Sequence, residues 1–350
     1  MTSPETAPQP SESARSAEAG ADAVRIMLLD RDGSDREIDE SELDSTAINQ
    51  QRLVWVDLPL TPSERDNKRE RAILERLGTP VDLIPTLLTA AGRPRLFEHE
   101  DIMRLEVTGL RASNDDSASQ PVTVLCVIGP NWLVTARDAT VDFLDSFRER
   151  VSGDSDLGAL DAAAFLAVVL NWQVTSYDHE IEGIVTLIDE LEEQALRGDA
   201  SQQETLERLV ALRRRITKLR ALLAPHQQLF LQLAHSDLDR LSTSASAEAF
   251  RLLAERTSTS VETVERAREM LLGSFEILMT RTAQRTNDVM KLLTVITVML
   301  LPSTLIAGIL GMNFHPAFFD DPVLFWFALG FMVLTMTLTV VTVRRRGWLS

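Results

Sequence analysis

The sequence predicts an α+β/α membrane protein: an N-terminal cytoplasmic α/β domain, a helical hairpin, a long helical stalk and two C-terminal transmembrane helices. Three observations predict it. Short β-rich runs alternate with turn signals and helical stretches over residues 22–155. Apolar residues then recur every three or four positions through most of 159–288, the spacing of amphipathic helices. Finally, 289–310 carries one charge, Lys291, and 323–343 carries none, and each is close to the roughly 20 residues that cross a hydrocarbon core.

Charge is unevenly distributed. Asp288, Asp320 and Asp321 are the only acids after Asn287, and Lys291, Arg344, Arg345 and Arg346 the only bases. Setting these aside from 52 acids and 35 bases leaves 49 against 31, a net −18 upstream. Such a surface repels phosphates, which argues against nucleic acid as a partner. The single cysteine, Cys126, excludes an internal disulfide and any cysteine cluster, and its apolar surroundings predict a buried, inert thiol.

Residues 1–21, rich in Ser, Ala, Pro and Glu with no apolar run, read as a disordered tail rather than a signal peptide. Strands are expected at 24–29 and 53–58. A charged surface helix follows at 62–77, with Ile73, Leu74 and Leu77 on one face. A second, at 81–90, is weakened by Pro85 and stopped by Gly92 and Pro94. Strands 102–108, 122–128 and 132–135 come next, the last two a hairpin turning at Gly129-Pro130-Asn131. The hairpin region, 156–245, holds amphipathic helices over 159–197 and 205–223, broken at Gly198-Asp199. Asp189, Glu190, Glu192 and Glu193 on one arm and Arg213, Arg214, Arg215 and Lys218 on the other suggest that opposite charges steer the pairing. From 247 to 310 only Gly273, Gly308 and Pro302 interrupt, so roughly sixty residues form one rod of about 90 Å, stalk at 246–288 and first span at 289–310. A loop at 311–322, the second span at 323–343 and a basic end at 344–350 complete the chain. The loop has no Lys or Arg whereas Arg344, Arg345 and Arg346 follow the second span, so the positive-inside rule places both termini in the cytoplasm of a multi-pass inner (plasma) membrane protein.

Two helices cannot enclose a path, so any conduction demands several copies. Asn287, Met290, Thr294, Thr297, Leu301, Thr304 and Gly308 advance by three or four and share one helix face. Their hydroxyl and amide groups suit water around a passing ion, with Gly308 allowing close helix approach. The same threonines also suit simple bonding to their own i−4 carbonyls, and spacing does not choose between the roles. Neither span holds a carboxylate or histidine, which argues against a buried proton relay and for passage of a hydrated ion.

Just after the first span stands Gly311-Met312-Asn313, then Phe314. With Pro302, Ala307-Gly308-Ile309-Leu310, the opening Asn287-Asp288-Val289-Met290-Lys291-Leu292-Leu293-Thr294 and the terminal Arg346-Gly347-Trp348-Leu349, the chain resembles the CorA family of divalent-cation transporters from about residue 22 onward. The resemblance implies a funnel-shaped homopentamer in the lipid bilayer, passing Mg²⁺, and also Co²⁺ or Ni²⁺, down the electrochemical gradient. Divalent cations are then its substrate and no resident cofactor is expected. It implies a selectivity ring from Gly311, Met312 and Asn313, with Asn313 facing the metal ion, and upper pore lining from Thr304 and Gly308. Met290 and Leu293 would form a hydrophobic constriction above a polar ring of Asn287. Two departures stand out. The loop reads His315-Pro316-Ala317-Phe318-Phe319-Asp320-Asp321, so Asp320 and Asp321 supply its charge. Thr86 and Leu252 occupy the positions where similar transporters carry the acids that sense cytoplasmic magnesium. The alternatives are proton-coupled Zn²⁺ transport, as in the ZntB-like branch, and a non-conducting membrane-anchored scaffold. An enzyme is not expected: His99, His179, His226 and His235 are scattered with no ligand spacing, and there is no phosphate-binding loop.

Overall fold

The structure is a computed structural model that describes residues 24–31, 35–43, 52–60, 68–111, 119–151, 156–197, 201–235, 244–310 and 322–345. It divides into two compact units, residues 1–272 and 273–350.

The first unit is built on a seven-stranded sheet: β1 (Arg25–Asp30), β2 (Arg36–Glu37), β3 (Arg52–Pro59), β4 (Arg95–His99), β5 (Ile102–Arg111), β6 (Gln120–Ile128) and β7 (Trp132–Arg137), in the order β2-β1-β3-β7-β6-β5-β4. Only the β3–β7 pair is parallel. Both faces are covered, which is why Leu53–Leu58 and Val122–Ile128 read as near-continuous apolar runs rather than alternations. On one face Ile26, Leu28, Val54 and Val56 meet two short helices, α1 (Lys68–Arg76) and α2 (Ile84–Leu88). On the other, Leu53, Trp55, Leu105 and Val124 meet α3 (Asp142–Val151) and α4 (Ala162–Arg197), together with α5 (Gln202–His235) and the start of α6 (Ser244–Leu310). Trp55 centres that layer, with ring centroids 5.2 Å from Phe147 and 6.0 Å from Phe165.

The expected strands are all present, and Gly129 closes the expected β6–β7 turn, its N–H donating to the Trp132 carbonyl at 3.0 Å. Several elements differ from expectation. The second helix shrinks to five residues because Pro85 sits in its first turn and Thr89 leaves the helical region at ψ 111. Strand β4 and helix α3 form where polar sequence gave no signal; α3 is held by buried Phe143, Leu144, Phe147 and Val151. Helix α5 runs through Pro225 to His235, because Leu229, Phe230 and Leu233 are buried in the main core and that packing outweighs one lost backbone bond.

The expected charge steering of the hairpin is corrected. An ion pair joins the arms at Glu180–Arg215, 2.8 Å, and Lys218 donates to the Ser119 carbonyl. In an antiparallel hairpin turning near residue 199, Arg213–Lys218 face positions near 180, two to three turns above the acids at 189–193. Glu193 instead pairs along its own helix with Arg197.

Three buried polar clusters fix the sheet. Asp57 accepts from Thr135 Oγ1 at 2.8 Å and Arg137 Nη2 at 3.0 Å and also pairs with Arg148. Glu106 accepts the backbone N–H groups of Ala91, Gly92 and Arg93 and the guanidinium of Arg104, pinning the loop before β4. Beyond Glu106, β5 has no β4 partner, and α4 and α5 take over. Gln173 Nε2 and Tyr177 OH donate to the Thr108 carbonyl at 2.6 and 2.9 Å, and His226 Nε2 accepts the Thr108 N–H at 2.9 Å. His226 Nδ1–H donates to the Leu222 carbonyl at 2.7 Å, which fixes the neutral tautomer. A sheet edge that would otherwise offer unpaired groups is thus closed by side chains. Cys126 is buried as expected, and burial pushes its thiol up to about 12.

Candidate transmembrane site

The second unit contains the C-terminal part of α6 and helix α7 (Pro322–Arg345). Both are long and apolar enough to cross a membrane, with mean hydropathies of 2.2 and 2.0 over their most apolar stretches. Almost nothing within those stretches is buried, 6% and 0%. A helix of a water-soluble core shows the reverse, so these surfaces face lipid or other copies of the chain.

Along α6 most residues are exposed, and the shaded ones gather on one side. Asn287, Met290, Thr294, Thr297, Leu301, Thr304 and Gly308 are all exposed, Met290 at 57% and Leu301 at 68%. Lys291, Val295, Met299, Ser303 and Ile306 are shaded, Val295 to 8%. At about 100° per residue the two rows lie on nearly opposite sides of the helix. Leu293, 56% exposed, flanks the first row rather than centring on it. The row from Asn287 to Gly308 is thus uncovered along its whole length, as are the apolar residues beside it.

The chemistry of that row is specific. Thr294, Thr297 and Thr304 each donate their hydroxyl to the i−4 carbonyl, of Met290 at 2.7 Å, Leu293 at 2.8 Å and Leu300 at 2.9 Å. That satisfies the hydroxyl hydrogen but leaves the oxygen lone pairs pointing outward. Water around a cation turns its hydrogens away from the ion, so a wall for a hydrated cation needs acceptors. Back-bonding and pore lining, posed as alternatives by the sequence, are compatible at the same residues. At the start of the span Lys291 Nζ is neutralised by Asp288 Oδ1 at 2.9 Å. Pro302 sits within the helix and supplies no N–H to the Val298 carbonyl one turn back.

Among the described residues no group of three or more His, Cys, Asp or Glu side chains is placed to hold a metal ion. Gly311, Met312, Asn313, Asp320 and Asp321, as well as His315, lie outside the described residues. Thr86 and Leu252 are both exposed. Reading by residue missed Arg281 and Arg285, about two turns and one turn before the span, on the side away from the row. The available signal was their four-residue spacing ahead of an apolar stretch.

An α/β unit, a helix running into an apolar span and a second apolar helix define the class of a two-span membrane protein with a large N-terminal α/β–helical unit. The family model for CorA-like Mg²⁺ transporter proteins matches residues 50–345, and the chain belongs to that family, whose members are transporters and not enzymes. The cobalt/magnesium transport protein CorA of Thermotoga maritima is 26% identical over 289 residues, covering 79% of this chain and 80% of that one. The divalent cation transporter CmaX of Pseudomonas aeruginosa is 27% identical over 270 residues, covering 75% and 79%. The structure of the CorA magnesium transporter from Methanocaldococcus jannaschii superposes with a TM-score of 0.74 at 22% identity, over 93% of this chain and 98% of that one.

Proposed function

We propose that the protein carries Mg²⁺, and with it Co²⁺ or Ni²⁺, through a pore assembled from several copies of α6, five by the family resemblance. The carrying observation is the uncovered face of α6: acceptor oxygens and small residues spaced along one row, opposite the shaded stripe. Membership of a family of divalent-cation transporters, and relatives named for cobalt and magnesium, support the choice of ion. Gly311, Met312 and Asn313 form the outer ring that selects the ion, and Asp320 and Asp321 draw cations toward it. Thr297, Thr304 and Gly308 line the path below. Leu301, Met290 and Leu293 narrow it, closing by dewetting when the copies approach, and Asn287 rings the inner side. Arg344–Arg346 against a loop free of bases support cytoplasmic termini in the plasma membrane. A potential of 100 mV moves a divalent ion with about 4.6 kcal/mol, a concentration ratio of roughly a thousand, so no phosphate hydrolysis is required.

The test is ion flux into liposomes holding the purified protein, wild type beside Asn313→Ala, with Mg²⁺, Zn²⁺, Co²⁺ and Ni²⁺. An imposed potential and a pH gradient are applied separately. Potential-driven Mg²⁺ uptake that disappears in the variant is the expected result. Zn²⁺ uptake that follows the pH gradient moves the protein to proton-coupled transport. Absence of flux for every ion from an oligomeric, oriented sample overturns conduction.

A further inference from the structure

A cavity of about 620 Å³ opens in the first unit where three segments meet: the end of α1, the β4–β5 turn and the β6–β7 turn. Small molecules are held in cavities of about 300–1,000 Å³. Its walls divide by chemistry. Leu77, Ile102 and Trp132, each under a tenth exposed, form an apolar side. The other side is the β4–β5 turn, with the exposed carboxylates of Glu100 and Asp101. Among the described residues no lysine or arginine lines the cavity, and Glu100 makes no hydrogen bond or ion pair.

Two features go beyond a solvated acidic turn. Trp132 is 4% exposed, and among the described residues its indole N–H meets no acceptor. Its ring is held against Gly129, where a Cβ would stand 2.3 Å from the indole. A fixed, nearly buried donor on a cavity wall takes its acceptor from whatever fills the cavity. The second feature is Glu100 itself. It is the first residue of a two-residue turn and has φ 49, where glycine is the residue free of strain. A carboxylate kept there at a cost in strain points to a task for it.

Each wall specifies one part of an occupant. The carboxylates call for a cation, the indole N–H for an oxygen acceptor, and the leucine and isoleucine for a hydrocarbon body. A bare metal ion lacks the ligands, since no group of three or more His, Cys, Asp or Glu side chains is placed to hold one among the described residues. We propose that the cavity binds a small organic ammonium compound bearing an oxygen acceptor, of the amino alcohol class. Its ammonium donates to Glu100 and Asp101, its oxygen accepts from the Trp132 Nε1–H, and its body lies against Leu77 and Ile102. An amino acid is disfavoured, because its own carboxylate meets two others. The site belongs to the first unit alone and does not depend on which ion passes.

The test uses the full chain in a neutral detergent and a matched series of probes. These are phenylalaninol, phenethylamine, which lacks the hydroxyl, and phenylalanine, which adds a carboxylate. Binding is followed by isothermal titration calorimetry, with the melting temperature alongside. Phenylalaninol is expected to bind at one site per chain, phenethylamine about tenfold more weakly and phenylalanine not measurably. Glu100→Gln should weaken phenylalaninol about tenfold, and Trp132→Phe should remove its advantage over phenethylamine. Glu100→Gly should raise the melting temperature of the free protein by relieving the turn and still lose phenylalaninol, a combination that unfolding cannot produce. Absence of phenylalaninol binding, or binding undiminished in Glu100→Gln, overturns the proposal. Phenylalanine bound as well as phenylalaninol does the same. Mg²⁺ or spermidine displacing phenylalaninol with the same dependence on Glu100 makes the turn a general cation site, and the amino alcohol assignment falls. Flux assays remain separate, so loss of transport with phenylalaninol binding intact refutes the pore and spares this site.

Discussion

Lowering the pH from 7.5 to 5 should destabilise the N-terminal unit through one side chain, His226. Its imidazole donates from Nδ1 to the Leu222 carbonyl and accepts at Nε2 from the Thr108 N–H and, at 3.0 Å, from Gln173. Around it stand the rings of Tyr177 and Phe230, with centroids 6.0 and 5.9 Å away. Burial lowers its pKa from 6.5 to about 4, because a second proton would lose solvation and turn the Nε2 acceptor into a donor facing two donors. The unfolded chain therefore binds a proton through the window from 6.5 to about 4 while the folded chain does not. Stability is complete above 6.5 and is lost as the pH falls through that window. At pH 5 the loss from this group is about 2 kcal/mol, or roughly 4–8 °C of melting temperature for a unit of this size. The assay compares the pH dependence of the melting temperature in wild type and His226→Gln, since carboxylates add their own slope to both. The wild type should fall more steeply by that amount between pH 7.5 and 5. Parallel curves would refute the buried neutral histidine.

Two further perturbations follow from the same packing. A Cβ at Gly158 would lie 2.3 Å from the Asp30 carbonyl oxygen, a backbone atom that cannot swing aside. Gly158→Ala should cost about 3 kcal/mol, whereas Gly183→Ala, on an exposed helix position with open space, should stabilise by about 0.5–1 kcal/mol. Thermal melts of both variants check the opposite signs. Burial depresses the Arg104 guanidinium below its ordinary value, with Glu106 offsetting part of that. Glu106→Gln should therefore cost about 3 kcal/mol by leaving the cation unpaired, and adding Arg104→Met should recover some of it. A double-mutant cycle with additive effects would show that the pair is not coupled.

Much of the fold was legible because hydropathy reports burial directly. The covered sheet, the amphipathic hairpin and the two spans all follow from where apolar residues sit. What was missed depended on contacts distant in sequence. Nothing near Arg95–His99 announces a strand; β4 exists because β5 lies beside it. Helix α3 is short and charged, and the burial of Phe143, Leu144, Phe147 and Val151, with Phe147 against Trp55, gives it a reason to form. Hairpin charges were visible, but not the register that puts Arg215 opposite Glu180 and sets the acids at 189–193 at another level from Arg213–Arg215. His226 looked isolated because its partners lie 53 and 118 residues away. On the candidate site, the row from Asn287 to Gly308 was readable because helix geometry is local. Which side of the helix stays uncovered was not, since that depends on the rest of the chain. Gly311–Asn313, Asp320 and Asp321 remain outside the described residues.

The lone parallel pair in the sheet imposes an order on synthesis. Strand β3 ends at Pro59, yet its partner β7 begins only at Trp132. At about 5–20 residues per second the ribosome needs roughly 4–15 s to deliver that partner. For that time β1 and β3 are a short ribbon with one β3 edge unpaired and the large face of Trp55 without cover. The nascent chain thus carries an aggregation-prone edge well before either span is made. A holding chaperone, or a pause that delays further synthesis until residues 132–137 emerge, would affect yield at this step and leave the finished protein unchanged.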